Sequence, residues 1–287
     1  MHNKQKVTER KANMSQNVLV VHGGGPTAVI NASLYGVIEE AKRNPEIGKV
    51  YGAIGGTGAI FSETFIDLTS FDDEKLKLLL HTPASAIGSS RYPLYEKDYE
   101  KMVDIFKKHD IKYVLLNGGN GTMDACGHIY EVCKDLDIKV VGIPKTIDND
   151  IAMTDHSPGY GSAARFIAAS TQEVGEDVKS LPIHVCIMEA MGRNAGWITA
   201  ASALARRKQG DAPHLIYLPE RNFNEDEFLE DVSRLQKKQG GVVVLVSEGL
   251  HDENGESIVP PIFKSERAVY YGDVSSHLAN LVVKELG

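Results

Sequence analysis

The residues best able to do chemistry fall in a few short runs. Pro144-Lys145-Thr146-Ile147-Asp148-Asn149-Asp150 brings two carboxylates, an amide, a hydroxyl and an ammonium together behind an apolar stretch. Burying that density of polar groups for structure alone is costly, whereas a general base working beside a metal-bound phosphate needs it. An exposed acidic turn is the bland alternative. Gly118-Gly119-Asn120-Gly121-Thr122 removes side-chain bulk where phosphates must approach, and Thr122 offers a hydroxyl at the start of the next helix. His22-Gly23-Gly24-Gly25, followed by Pro26 and Thr27, has the form of a strand entering a helix through glycines. Bare amides and a helix N-terminus there can receive an anion, although a tight turn that merely needs glycine accounts for the pattern equally well. Met191-Gly192-Arg193 sets a guanidinium at a strand end, suited to clamping a phosphorylated ligand. Arg91 and Glu248 carry no signal taken singly, and Trp197 reads as a packing residue.

Positioning these groups requires regular elements on either side. Apolar runs at Asn17–Gly24, Lys49–Gly56, Lys112–Thr122, Ile138–Thr146, His184–Gly192, His214–Pro219 and Gly241–Gly249 read as strands. Helical patterns stand between them, over 28–44, 99–110, 197–207 and 225–239, and a further one runs up to Gly287. Apolar strands alternating with helices imply a parallel α/β sheet covered on both faces. Almost every glycine cluster follows a strand directly, which is where open parallel sheets place their ligand sites. No internal repeat or low-complexity tract interrupts the pattern.

The bulk properties bound the function. A chain of 287 residues, 42% hydrophobic and 24% charged, is long enough for two domains. A net charge of −8 argues against binding a nucleic-acid backbone, while local cations in a cleft still permit a small anionic substrate. Cys126, Cys133 and Cys186 leave an odd thiol and form no Cys-x-x-Cys pair, so they read as packing residues of a reducing compartment. No stretch approaches the length of a membrane span, and no secretory leader is recognisable. The expected address is the cytoplasm. Residues 1–16 read as a disordered tail or a cloning scar, 17–158 as a first domain and 159–287 as a second.

Taken in order, the runs around Gly25, Arg91, Gly119, Lys145, Arg193, Glu220 and Glu248 resemble the phosphofructokinase family from Asn17 to about Gly249. The pairing of Pro144–Asp150 with Met191–Arg193 is the specific part. The resemblance implies two Rossmann-like three-layer α/β/α domains with mostly parallel sheets, the first binding a phosphoryl donor and the second a sugar phosphate, with the active site between them. It implies Mg²⁺, fructose 6-phosphate as acceptor, a place in glycolysis, and a homodimer or homotetramer. By the same resemblance Asp148 is the base that deprotonates the sugar 1-hydroxyl, Lys145, Thr146 and Asp150 flank it, and Arg193 stabilises the transferring group. Thr146, Asp148, Asp150, Met191, Gly192, Arg193 and Glu248 match substrate contacts, while Gly25, Arg91, Gly119, Asn120, Gly121 and Thr122 match the donor side. Asn120, Asp148 and Asp150 match the metal site.

Departures qualify that assignment. Asn120 replaces the aspartate of the family's Gly-Gly-Asp-Gly motif, a weaker ligand for Mg²⁺. The first glycine loop lacks the usual Asp-x-Pro-Gly. His184 stands where many members place an arginine that reaches a neighbouring subunit's sugar phosphate. Gly121 accompanies ATP in the family and Lys145 accompanies pyrophosphate. Because a side chain can exclude a nucleotide outright, the steric position is given more weight and ATP is the expected donor, with pyrophosphate the alternative. The family's late basic segment is not found before Gly287, so the chain reads as a fragment or as having a reduced grip on the sugar. A kinase of the NAD or lipid type is disfavoured by Pro144–Asp150 and Met191–Arg193. A member that binds without turnover is the remaining alternative, against which Asp148 and Arg193 stand intact. Sedoheptulose 7-phosphate offers a similar hydroxyl and phosphate pair.

Overall fold

A computed structural model describes residues 16–264 and 269–287. The expected tail lies outside the described residues, apart from Gln16, which already belongs to the first strand. The chain divides into two compact units, one up to Thr146 and one from Ile147. The break falls inside the Pro144–Asp150 run and ahead of the boundary expected after residue 158.

The first unit carries β1 (Gln16–His22), α1 (Ala28–Arg43), β2 (Ile47–Ala53), α2 (Gly58–Phe61), β3 (Phe65–Asp67), α3 (Asp73–Lys77), α4 (Glu96–Lys108), β4 (Ile111–Gly118), α5 (Asn120–Cys133) and β5 (Lys139–Pro144). Its sheet has the order β3-β2-β1-β4-β5, parallel except for the edge strand β3. Val18 to His22 are all buried, as a central strand covered on both faces must be. On one face Ile38, Leu34 and neighbouring residues of α1 pack against Val18, Val20 and Val50. On the other, Met102 and Phe106 of α4 and Ile129 of α5 pack against Leu19, Val21 and Leu116. Helix α4 shows why these elements form. Tyr99, Met102, Val103 and Phe106 recur at helical spacing and are buried. Glu96 and Asp98 begin the helix and Lys107 and Lys108 end it, each sign opposing the helix dipole.

The second unit contains α6 (Tyr160–Ser180), β6 (Val185–Ala190), α7 (Trp197–Ala201), β7 (Leu215–Tyr217), α8 (Glu225–Gln239), β8 (Val242–Ser247), the pair β9 (Pro261–Lys264) and β10 (Val269–Tyr271), and α9 (Val274–Leu286). A parallel three-stranded sheet runs in the order β6-β8-β7. Every residue of the central β8 is buried. Val242, Val244 and Val246 face α8 and α9, while Val243 and Leu245 face α6 and α7, the strict alternation of a strand buried on both sides. Both units are therefore three-layer and mostly parallel. The helix expected over 197–207 is shorter: α7 ends at Ala201 and tightens into a 3₁₀ turn over Ser202–Ala205. Trp197 is 53% exposed, its ring set edge-on to Tyr160 at 6.4 Å, so it is not the core residue its type suggests. Cys126 and Cys133 are buried, and burial raises their thiol pKa values as packing residues require.

Candidate active site

In the first unit three loops meet at the C-terminal ends of β1, β4 and β5. Gly23 N–H donates to Asn117 O at 3.0 Å and Lys145 N–H to Gly118 O at 2.9 Å, stitching the three strand ends side by side. The loop after Ile87 closes over them. Gly24 N–H donates to Ser90 O, Ser89 Oγ to Gly24 O, and Thr57 N–H to Ser90 Oγ. Arg91 follows that clasp and is exposed.

The glycines here divide into two kinds. A Cβ at Gly118 would meet Thr122 Oγ1 at 2.3 Å and Gly23 O at 2.5 Å, so Gly118 is small because its own loops pack there. Thr122 fills that space and is buried, which makes it a packing residue between loops rather than the open hydroxyl its position suggested. A Cβ at Gly25 or Gly121 would meet nothing within 4 Å, and at Gly119 nothing closer than Lys145 O at 3.5 Å. These positions, with exposed Asn120, leave room for a ligand's phosphates.

Lys145 is only 4% exposed, and its ammonium donates to the carbonyl of Gly25. A cation is thus held against the open glycines of the first loop, beside buried Thr146. His22, missed by the sequence reading, lies beneath. Ser85 Oγ donates to Gly88 O at 2.7 Å and so accepts from His22 Nδ1–H at 2.7 Å, leaving Nε2 as a bare acceptor. Nε2 and Thr27 Oγ1 are buried with no hydrogen-bond partner among the described residues, unmet polar capacity beneath the loops. Burial first, and the charge of Lys145 second, lower the His22 pKa from 6.5 to about 4. Above pH 6.5 the imidazole is neutral in both folded and unfolded chains. As pH falls from there to about 4, the unfolded chain takes up a proton the folded one refuses. Stability should therefore decline by about 1.4 kcal/mol per pH unit over that window from this group. Urea melts at pH 7 and pH 5 should show the loss, and His22→Gln should remove that share of it.

In the second unit Asp148 and Asp150 flank Asn149. Asn149 is buried in a left-handed conformation, φ 57°, which asparagine tolerates better than most residues. Its side chain accepts from Ser157 N–H at 2.7 Å and donates to Asp155 O at 3.2 Å. The amide counted with the chemistry is the clasp that fixes the two carboxylates. One oxygen of Asp148, Oδ1, is buried.

Met191–Arg193 is built onto the end of β8. Gly192 N–H donates to Glu248 Oε1 at 3.0 Å, Ser247 Oγ donates to Gly192 O at 2.9 Å, and Glu248 N–H donates to Ala190 O at 3.0 Å. Glu248, expected as a substrate contact, spends one oxygen holding the loop. Met191 is 59% exposed, and the Arg193 guanidinium lies over the Tyr271 ring, 5.3 Å from its centroid. A Cβ on Gly249 would stand 1.8 Å from Arg193 O, so only glycine fits against this backbone. Gly249→Ala should cost about 1–3 kcal/mol by overpacking, read as a lower urea midpoint, and should displace Arg193. The sequence marked Arg193 and Glu248 but gave no sign of Tyr271 or of the duty of Gly249.

The oxygen donors of Asp148, Asp150 and Asn120 suit a hard cation. Among the described residues no three His, Cys, Asp or Glu side chains gather as a cage. Within each unit such oxygens fit Mg²⁺ carried largely by a ligand's phosphates, as that ion is usually bound, and not a closed protein site.

Open glycine loops, a buried lysine and a helix entry at the ends of parallel strands are the features with which α/β proteins receive phosphorylated ligands. The phosphofructokinase family model matches residues 17–286, and the chain belongs to that family. It is 41% identical over 272 residues to a pyrophosphate–fructose 6-phosphate 1-phosphotransferase of Rhodospirillum rubrum, covering 93% of this chain and 67% of the relative. A pyrophosphate-dependent phosphofructokinase structure from Marinobacter aquaeolei superposes with a TM-score of 0.82 at 38% identity, covering 95% of this chain and 66% of that one. The chain thus spans about two thirds of these relatives. An ATP-dependent 6-phosphofructokinase of Amycolatopsis methanolica is 30% identical over 237 residues, covering 80% of this chain and 50% of the relative. Further relatives with the pyrophosphate name are 36–39% identical. The expectation of ATP is therefore the weaker of the two donor readings. Gly121 stands in open space and excludes nothing, so it permits a nucleotide without requiring one, whereas Lys145 is built into the loops.

Proposed function

We propose that this chain moves a phosphoryl group from pyrophosphate to the 1-hydroxyl of fructose 6-phosphate. The observation that carries the reading is the buried Lys145 ammonium held at the open glycines of the first loop, a fixed positive charge suited to a compact, highly charged donor. In this reading Gly25, Gly119, Asn120, Gly121 and Lys145 of the first unit serve the donor, with Arg91 at its edge. In the second unit Asp148 takes the proton from the 1-hydroxyl as that oxygen bonds to the near phosphorus. The bridging P–O bond breaks and inorganic phosphate leaves with the electron pair. Arg193 offsets charge on the transferring group, and Met191, Gly192 and Glu248 shape the sugar side. Mg²⁺, when bound, neutralises phosphate oxygens, with Asp148, Asp150 and Asn120 the residues to hold it. Positioning and charge neutralisation supply most of such a rate enhancement. Assembly as a homodimer or homotetramer and a cytoplasmic, glycolytic role belong to the same proposal; among the described residues no helix is long and apolar enough to cross a membrane.

A second reading, with ATP as donor, draws on Gly121, whose open space would admit a nucleotide. The deciding assay offers fructose 6-phosphate and Mg²⁺ with pyrophosphate or with ATP. Turnover with pyrophosphate supports the proposal, turnover with ATP alone replaces it, and binding of both ligands without product marks a non-catalytic member.

A further inference from the structure

Arg193 is held from two sides. The β8 end braces the backbone of Gly192 just before it, and the Tyr271 ring supports its guanidinium. Tyr271 closes β10 and packs partly into the cluster that holds Val274, Leu278 and Val282 of α9. What fixes the junction between β10 and α9 is a pair of acidic side chains. Along β6, Val185 and Ile187 face that same cluster, and the alternation sends Glu189 to the same face at the end of the row. Glu189 Oε2 accepts the Ser275 N–H at 2.8 Å. Asp273 caps α9, accepting from Ser276 N–H at 3.0 Å and from Ser275 Oγ at 2.7 Å. Two carboxyls therefore collect the first free amides of one helix, where the dipole favours negative charge.

We propose that Glu189 is a positioning residue for Arg193: by clasping the first turn of α9 it holds Tyr271 beneath the guanidinium, and so sets the group that offsets charge on the transferring phosphoryl. This rests on the role given to Arg193 in the proposed function. Glu189 lies four residues before Arg193 on the strand that delivers it, and its carboxyl bonds the helix that begins three residues after Tyr271. One side chain thereby ties together both segments that meet at the guanidinium.

The ionisation of the pair fits this. Burial pushes the Glu189 carboxyl up, with Asp273 and Glu248 adding to it, while hydrogen bonds from Ser275 and Ser276 and from Glu189 itself hold Asp273 well below the usual carboxylate range. The contact between the two carboxyls acts on them in opposite senses, raising Glu189 and lowering Asp273. Among the described residues the charged groups acting on Glu189 are acidic: Asp273 ahead of α9 and Glu248 after β8. His277, one turn into α9, is paired with Glu225 of α8 at 2.7 Å. A glutamine at position 189 keeps an oxygen to accept the Ser275 N–H and offers an amide N–H to the Asp273 carboxylate, and an alanine offers neither.

Amide hydrogen exchange on the whole chain, resolved over residues 190–195 and 271–277, separates the possibilities without requiring turnover. Glu189→Ala should speed exchange about tenfold in both segments, and Glu189→Gln should leave both at the wild-type rate. In the pyrophosphate assay Glu189→Ala should lower kcat by about tenfold with the KM for fructose 6-phosphate little changed, again with rescue by glutamine. If residues 271–277 loosen while 190–195 stay protected, Glu189 merely caps α9 and the proposal is overturned. Equal damage from Gln and Ala overturns it as well. A wild-type chain with no turnover removes the proposed function, while the exchange result still decides whether Glu189 holds the Arg193 segment.

Discussion

Asp148→Ala should lower turnover by about 10²–10⁴-fold, the usual contribution of a positioned general base, while leaving the affinity for pyrophosphate nearly unchanged. The separation is expected because the donor loops belong to the first unit, whereas Asp148 follows the break at Thr146. The fold should survive, since Asn149 fixes the turn that carries Asp148 through Ser157 and Asp155. Asn149→Ala makes the contrasting case. It should lower the melting temperature and turnover together, because it removes the clasp and leaves a non-asparagine residue at φ 57°. A melt and a kcat measured on each variant distinguish a base from its support. Unchanged turnover in Asp148→Ala would remove it from the reaction.

The elements around this site were legible because strong patterns wrote them. Val242–Ser247 is an unbroken apolar run, and it is the central strand of its sheet. Helix α8 announces itself through the Asn224 cap, three acids in its first turn and lysines in its last. Less legible was α6, the longest helix, because Ser157-Pro158-Gly159 ahead of it reads as a linker and its sequence is rich in small residues. The edge strand β3 and the β9–β10 pair are too short to show a period. Within the site, residues whose types suit a ligand stood out, while those that hold them in place did not. Gly249 matters only because a distant backbone passes within 1.8 Å of its absent Cβ, and His22 only because Ser85 fixes its tautomer. Contacts between residues far apart in sequence leave no local mark. Gly121 misled for a related reason, since its smallness was read as making room for a nucleotide when the space there is open in any case.

In the proposed function the choice of donor turns on Lys145, and Lys145→Met tests it with little change of shape. The thioether fills the same slot as the alkyl stem but carries no charge and no donor. The Gly25 carbonyl loses its partner, which should cost about 1–3 kcal/mol of stability, small enough for the chain to remain folded. Turnover with pyrophosphate should fall by about 10²–10³-fold, the typical result of deleting one preorganised donor at developing negative charge. Any turnover with ATP should fall far less, because a nucleotide also binds through its base and ribose. An internal control comes from His22, whose pKa is lowered to about 4 first by burial and then by Lys145. Removing the ammonium leaves the burial and deletes the repulsion, so the His22 titration followed by NMR should move upward, toward but not reaching its ordinary value. If that shift is seen while pyrophosphate turnover is unchanged, the charge has been removed without consequence, and Lys145 does not select the donor. If the shift accompanies selective loss of pyrophosphate turnover, the fixed charge under the glycine loops is what makes this member of the family a pyrophosphate enzyme.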